Sequence, residues 1–350
     1  MKKEKKLTVI IPIYNMQKYL KECLDSALGQ TLEDIELICV DDGSTDQSLN
    51  ILKDYSKKDD RITIIHQENK GVSAARNIAI EKAKSKYVCF MDPDDLYPDK
   101  TVLEDLYIAA EIHNAQICGG SFSHYDQETG KLTTVFAGAY LPYTFKEDGY
   151  VDYKDYQFDY GYHRFIYDLD LLKENKIVFP PYKRFQDPPF FVKAMLAAGR
   201  FYALKRVSYQ YRLGHQSPIW STDKLIDFSK GICDNLKISA ENGLNELHAY
   251  TVQRIVEHKE VFLENAGKLF DIRIQRSLYT FLLLTRPDML QESEYKVEAE
   301  ALFDVFRELI MDDTTWKKRY IELKETETFK VGKAVLWLPR KLMMAVKKQR

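Results

Sequence analysis

The sequence predicts a doubly wound α/β fold, a mostly parallel sheet with helices on both faces, and three observations carry that reading. The first is residues 7–13, LTVIIPI, an unbroken β-branched run of the kind that lies buried on both faces of a parallel sheet. The second is alternation: strand-like runs at 35–40, 62–66 and 86–91 are separated by stretches of helical spacing at 16–30, 45–57 and 71–84. The third is the chemistry of the strand ends. Three of the runs end in polar or acidic residues, and ligands of such sheets bind beyond the carboxyl ends of the strands.

In chain order, Tyr19, Leu20, Cys23, Leu24 and Ala27 recur at three and four, which makes the first helix amphipathic. The tract 120–222 is richer in Tyr, Phe and Pro and predicts shorter strands, loops and one or two helices. From about 223 the chain turns helical, with long amphipathic stretches at 246–263 and 272–284. The expected domains are therefore an α/β domain over 1–222, a helical domain over 223–328 and a tail over 329–350. Residues 330–350 hold seven basic residues and no acidic one. Val331, Val335, Leu338, Leu342 and Val346 recur there at three and four, broken by Pro339, with Trp337 between them. That pattern predicts peripheral membrane contact, with docking against the helical domain as the competing explanation.

Bulk properties narrow the classes. A chain of 350 residues holds one large domain with an appendage, or two domains. A hydrophobic share of 45% and a charged share of 30% are ordinary for a globular protein, and a net charge of −2 does not point to nucleic acid as a partner. Cys23, Cys39, Cys89, Cys118 and Cys233 lack paired or metal-type spacing, and four of them sit in apolar stretches as small hydrophobes of a reducing compartment. No run approaches the roughly 20 apolar residues of a membrane span, and the N-terminal run is too short for a secretory signal. A cytoplasmic catalytic part, peripheral on the membrane's cytoplasmic face, is the expectation.

The motif Asp92-Pro93-Asp94-Asp95 comes directly after the strand at 86–91. Alternate side chains of an extended turn point the same way, so Asp92 and Asp94 suit one hard divalent cation that also holds phosphate oxygens. An ordinary turn leading into a helix cap explains the same residues. Asp41-Asp42-Gly43-Ser44 ends the second strand; a carboxylate there accepts a hydrogen bond from a base or ribose, and Gly43 permits close backbone approach. Tyr14 offers a ring for stacking, or packs in the core. Arg76, about a turn inside the helix after Asn69-Lys70-Gly71, suits a base or phosphate, or pairs with a strand-end aspartate.

Taken in order over residues 9–95, VIIPIYN, VDDGSTD, NKGVSAARN and FMDPDD resemble a family 2 glycosyltransferase of the GT-A fold. The resemblance covers about 1–215. It implies an inverting enzyme that takes a nucleotide-sugar donor, a UDP-sugar first among them, with Mn2+ or Mg2+. It counts Pro12, Tyr14, Asp42, Arg76, Asp92 and Arg212 as donor-binding: Tyr14 and Asp42 at the base, with Arg76 in support, and Asp92 at the ribose or metal. Asp94 is then a metal ligand, with Asp92 and His215, and Arg212 neutralises the leaving group. Asp187 matches the general base of the family's Glu-Asp pair, although Gln186 replaces the Glu; helix capping by Asp187 is compatible with that role. The expected acceptor is a saccharide or lipid-linked hydroxyl of a cell-surface polymer. Aromatic residues of 140–167 offer rings for stacking on sugars, though core packing is their commoner use. A nucleotidyltransferase and a non-catalytic sugar-nucleotide-binding protein are the alternatives. VIIPIYNMQKY lacks the Gly-rich basic loop of the first, and the presence of Asp94 and Asp187 speaks against the second.

Overall fold

The structure, a computed structural model, describes residues 5–214, 219–264, 272–294 and 297. His215 and the tail 329–350 lie outside the described residues. The chain divides into two compact units, Met1–Ile219 and Trp220–Arg350.

The first unit is built on one sheet. β1 (Leu7–Ile13), β2 (Ile35–Asp41), β3 (Ile62–His66) and β4 (Tyr87–Phe90) pair in parallel in the order β3-β2-β1-β4. All seven residues of β1 are buried, as its continuous apolar run requires. Register runs from Leu7↔Ile35 to Ile13↔Asp41 on one side and from Leu7↔Tyr87 to Ile10↔Phe90 on the other. Ile10 accepts from Met91 and Ile13 accepts from Asp42, so residues of even number face β4. The missing N–H of Pro12 thus points to the β4 side, beyond the last paired residues, where a proline removes no ladder bond.

The second half of the sheet is mixed. β5 (Ile117–Asp126), β6 (Leu132–Thr133), β7 (Gly149–Asp152), β8 (Phe165–Asp168) and β9 (Arg200–Leu213) continue the order as β4-β8-β5-β9-β7, with β6 on β5. β8 is antiparallel to both β4 and β5, and β9 is parallel to β5. The two reversals bring the carboxyl ends of β5 and β9 back to the edge where β4 ends, and Leu96 bridges to Gln210 there. Close approach of β5 to its neighbours requires glycine. A Cβ on Gly119 would lie 2.0 Å from a ring carbon of Phe165.

Helices α1 (Leu20–Leu28), α2 (Ser48–Ser56), α3 (Val72–Lys82), α4 (Val102–His113), α5 (Tyr153–Tyr156), α6 (Leu169–Glu174) and α7 (Asp187–Ala198) pack around this sheet. α1 buries Leu20, Cys23, Leu24 and Ala27 in the aliphatic core with β1 and β2. It starts four residues later than helical spacing predicts. The backbone N–H groups of Met16 and Gln17 donate instead to the side chains of Ser48 and Asp46, which holds that stretch as a turn. Behind β4 the core is aromatic: Phe90 meets Phe179 and Phe190 edge-on, and those two rings stack at 3.9 Å. Cys23, Cys39, Cys89 and Cys118 are buried thiols, as their apolar settings predict.

The second unit is helical: α8 (Thr222–Asn242), α9 (Asn245–Glu257), α10 (Lys259–Glu264), α11 (Ile272–Leu284) and α12 (Pro287–Glu292). The amphipathic stretch 246–263 is two helices rather than one, because His258 bonds back to the Arg254 carbonyl through its backbone N–H and its Nδ1 and closes α9. His248 is fully buried between Ser239, 2.8 Å from its Nδ1, and the Arg286 backbone N–H, which donates to its Nε2 at 2.9 Å. Among the described residues no helix is long and apolar enough to cross a membrane.

Candidate active site at the carboxyl edge of the sheet

Four strand ends and one helix start supply the polar groups. After β1, Tyr14 is 46% exposed and Asn15 takes a left-handed backbone, φ 55°. Asn15 is fastened to the loop after β2: its Oδ1 accepts from Thr45 N at 2.8 Å and its N donates to Ser44 Oγ at 3.1 Å. After β2, Asp42 is buried and both its carboxylate oxygens accept hydrogen bonds. Oδ1 accepts from Gln67 Nε2 at 2.7 Å and Lys70 N at 2.9 Å, and Oδ2 accepts from Gly71 N at 2.8 Å. Its carboxylate therefore orders the Gln67–Gly71 loop that opens α3. Asp41 points elsewhere, to His66 Nδ1 at 2.7 Å.

The turn after β4 is the most tightly held part. Asp92 Oδ1 accepts from Arg76 Nη2 at 2.7 Å, and Oδ2 lies 3.1 Å from His163 Nε2. A carboxylate only accepts, so His163 donates to it through Nε2. Burial pushes the Asp92 pKa up, but the charges of Arg76 and His163 outweigh it and hold the carboxyl well below the usual range. Arg76 is buried, lying 5.2 Å from the Tyr162 ring and 5.0 Å from that of Phe179. Burial opposes its charge, yet Tyr162, Asp92 and Asp187 raise its pKa above the ordinary value.

Asp95 does the anchoring. Its Oδ2 accepts from Tyr209 OH at 2.7 Å and its Oδ1 from Arg212 N at 2.8 Å, while Tyr209 OH accepts from Asp92 N at 3.0 Å. Burial, then the neighbouring carboxylates of Asp94 and Asp92, push the Asp95 pKa well up. Arg212 is 5% exposed; Nε donates to the Asp94 carbonyl at 2.7 Å and Nη2 to Glu22 Oε2 at 2.6 Å. His163 stacks on Tyr209 with ring centroids 4.9 Å apart, which closes the cage around the turn.

Asp187 is the first residue of α7. Gln186 occupies the capping position and its side chain makes no cap bond, while Asp187 is an acidic residue of the first turn. Two residues earlier Phe185 has φ 61°, a left-handed backbone that a bulky residue adopts only under constraint.

The site-forming residues thus fall into three groups. Asp92 and Asp94 lie on the turn after β4, and Arg76 of α3 and Arg212 of β9 bond to it. Asp187 lies within charge range of Arg76, and Tyr14 and Asp42 sit on the next strand ends. Arg76 bonds Asp92 rather than any group near Asp42, the ion pair that its sequence position allowed. The guanidinium of Arg212 is bonded within the protein. His163, Tyr209 and Asp95 as an anchor carry no sequence signal: the first is a lone histidine in an aromatic tract, and the others pair across more than a hundred residues.

Residues 8–175 match the family model of glycosyl transferase family 2. The chain is 35% identical over 211 residues to EpsJ, an uncharacterized glycosyltransferase of Bacillus subtilis, covering 59% of this chain and 60% of that protein. It is 35% identical over 214 residues to a poly(ribitol-phosphate) beta-glucosyltransferase of Bacillus spizizenii, covering 59% of this chain and 32% of that one. The chain thus spans less than two thirds of either relative. Residues 1–349 of S. aureus TarS, solved in complex with UDP-GlcNAc, superpose with a TM-score of 0.68 at 23% identity, over 91% of this chain and 92% of that one.

Proposed function

Because this chain belongs to glycosyl transferase family 2 and has its GT-A fold, we propose that it moves a sugar from a UDP-sugar to a hydroxyl of a saccharide or lipid-linked acceptor. The anomeric carbon inverts, and the product is a cell-envelope polymer. One observation carries the reading most: Asp92 is held ionised between Arg76 and His163 at the end of β4, with Asp94 beside it and Asp187 near the same Arg76. The UDP-GlcNAc complex of TarS supports a UDP donor, and the poly(ribitol-phosphate) relative supports an envelope polymer.

The donor set fits a divalent cation. Among the described residues no group of three His, Cys, Asp or Glu side chains is gathered to hold a metal. Mg2+ or Mn2+ bound by one or two carboxylates, with its shell completed by phosphate oxygens of the substrate, needs no such group. Asp94 would hold the ion, Asp92 through the lone pairs left by its two donors, and His215 is the third candidate. When bound, the cation offsets charge on the departing diphosphate.

The remaining steps belong to side chains. Tyr14 stacks on the base, and Asp42 acts by fixing the Gln67–Gly71 loop that frames it. Pro12 sets the strand end from which Tyr14 projects. Arg76 keeps Asp92 charged, and Arg212 keeps the turn in place. Asp187 takes the acceptor proton as the hydroxyl attacks from the face opposite the leaving group. A single base and direct displacement give inversion.

A nucleotide-sugar panel with product analysis by NMR tests the reaction, and a retained configuration would contradict it. Calorimetry with UDP tests the metal site: binding should depend on Mn2+ or Mg2+ and collapse in Asp94→Asn. Equal affinity with and without chelator would remove the metal from the reading.

A further inference from the structure

We propose that Asn77 is a positioning residue for Asp187, an inference that rests on Asp187 being the base. Asn77 Nδ2 donates to the Phe179 carbonyl at 2.8 Å, and the Phe179 N–H donates to Asn77 Oδ1 at 2.9 Å. The two bonds fix the orientation of the amide, since the Phe179 N–H needs an acceptor and its carbonyl a donor. They join residues 102 apart in sequence, and they fall in the middle of residues 175–186, which connect α6 to α7 without regular structure.

What the clamp holds is the approach to α7. Phe179 stacks on Phe190 of α7 at 3.9 Å with ring planes 8° apart, so fixing Phe179 fixes the first turn of the helix that Asp187 opens. The left-handed Phe185 lies between the clamp and Asp187. Such a backbone persists only where the surroundings over-determine it, and a segment pinned at Phe179 and again at α7 meets that condition. Arg76, the residue before Asn77 on α3, is bonded to Asp92. Adjacent residues of one helix therefore hold the two carboxylate-bearing pieces of the site, and α3 sets the distance between them.

A displacement of the base by about 1 Å lowers turnover by up to roughly 100-fold while leaving binding elsewhere intact. Asn77→Ala and Asn77→Asp are therefore expected to lower kcat by about 10- to 100-fold, with donor KM and UDP affinity within about 2-fold of wild type. Asn77→Ser carries the same comparison should either variant fail to fold. Unchanged kcat in a folded variant overturns the proposal, and so does UDP affinity falling in step with kcat, which would place the effect at Arg76 and the donor. Asp187→Asn measured in parallel separates the two readings. If it turns over normally, Asp187 is not the base and the clamp has nothing to position. If it is inactive while Asn77→Ala is at full kcat, the base stands and the clamp is wrong.

Discussion

At the scale of single residues, charge and geometry separate binding from chemistry. Asp187 opens α7 and lies within charge range of a buried arginine that is itself bonded to Asp92. Asp187→Asn should therefore leave UDP affinity nearly unchanged while kcat drops by roughly 10²–10⁴-fold, about 3–5 kcal/mol of barrier. Gln186→Glu should do far less, because the proton acceptor is untouched. Loss of UDP binding in Asp187→Asn with turnover near normal would make Asp187 structural. Of the residues in the site, Tyr14, Asp42, Arg76, Asp92, Asp94 and Asp187 stand out in sequence because each lies in a motif at a strand or helix end. His163 does not, because a ring that donates to Asp92 across 71 positions leaves no local trace.

At the scale of elements, two packing arguments give measurable consequences. β5 passes Phe165 so closely that a methyl group on Gly119 would overlap the ring, and Phe165 is hemmed in by Phe145, Phe191 and Phe201. Overpacking of this kind costs about 1–3 kcal/mol, so Gly119→Ala should lower Tm by several degrees. An unchanged Tm would show that β8 yields freely. In the helical unit, burial and then the Arg286 charge lower the His248 pKa from 6.5 to about 4. The unfolded chain takes up a proton near 6.5 that the folded unit refuses. The stability of neutral His248 is thus fully present above about pH 6.5 and is lost as pH falls from there towards 4, amounting to about 3 kcal/mol. Hydrogen exchange in α9 and α12 of the full chain, corrected for intrinsic pH dependence, should accelerate across that window and do so much less in His248→Gln. Equal protection at pH 7 and pH 4.5 would contradict the argument.

At the scale of the whole molecule, the question is where the catalytic unit works. The acceptor proposed above is a saccharide or lipid-linked hydroxyl, and residues 330–350 combine basic residues with apolar ones at helical spacing. Attraction of about 1 kcal/mol per basic residue near anionic lipid, added to apolar insertion, would give peripheral anchoring, with docking against the helical domain as the competing use of the same pattern. The 350-residue chain should float with anionic vesicles, and a chain ending at Thr328 should not. Equal flotation of the two would assign the tail to another task.

The sequence by itself determined the parallel half of the sheet, the strand ends and the motif residues on them. Continuous burial of LTVIIPI and the helical spacing of the intervening stretches are local properties, readable within ten or twenty residues. Tertiary structure alone decided the mixed half. Whether β8 enters the sheet antiparallel between β4 and β5 depends on partners drawn from 87 to 168, and no local pattern in FIYD reports it. It likewise decided that Arg76 bonds Asp92, that Arg212 is held by Glu22 and that Asn77 grips Phe179. A side chain's chemistry is written in its identity. Which of several fitting partners it meets is set by long-range packing, where the cost of leaving a buried charge or amide unpaired selects one arrangement.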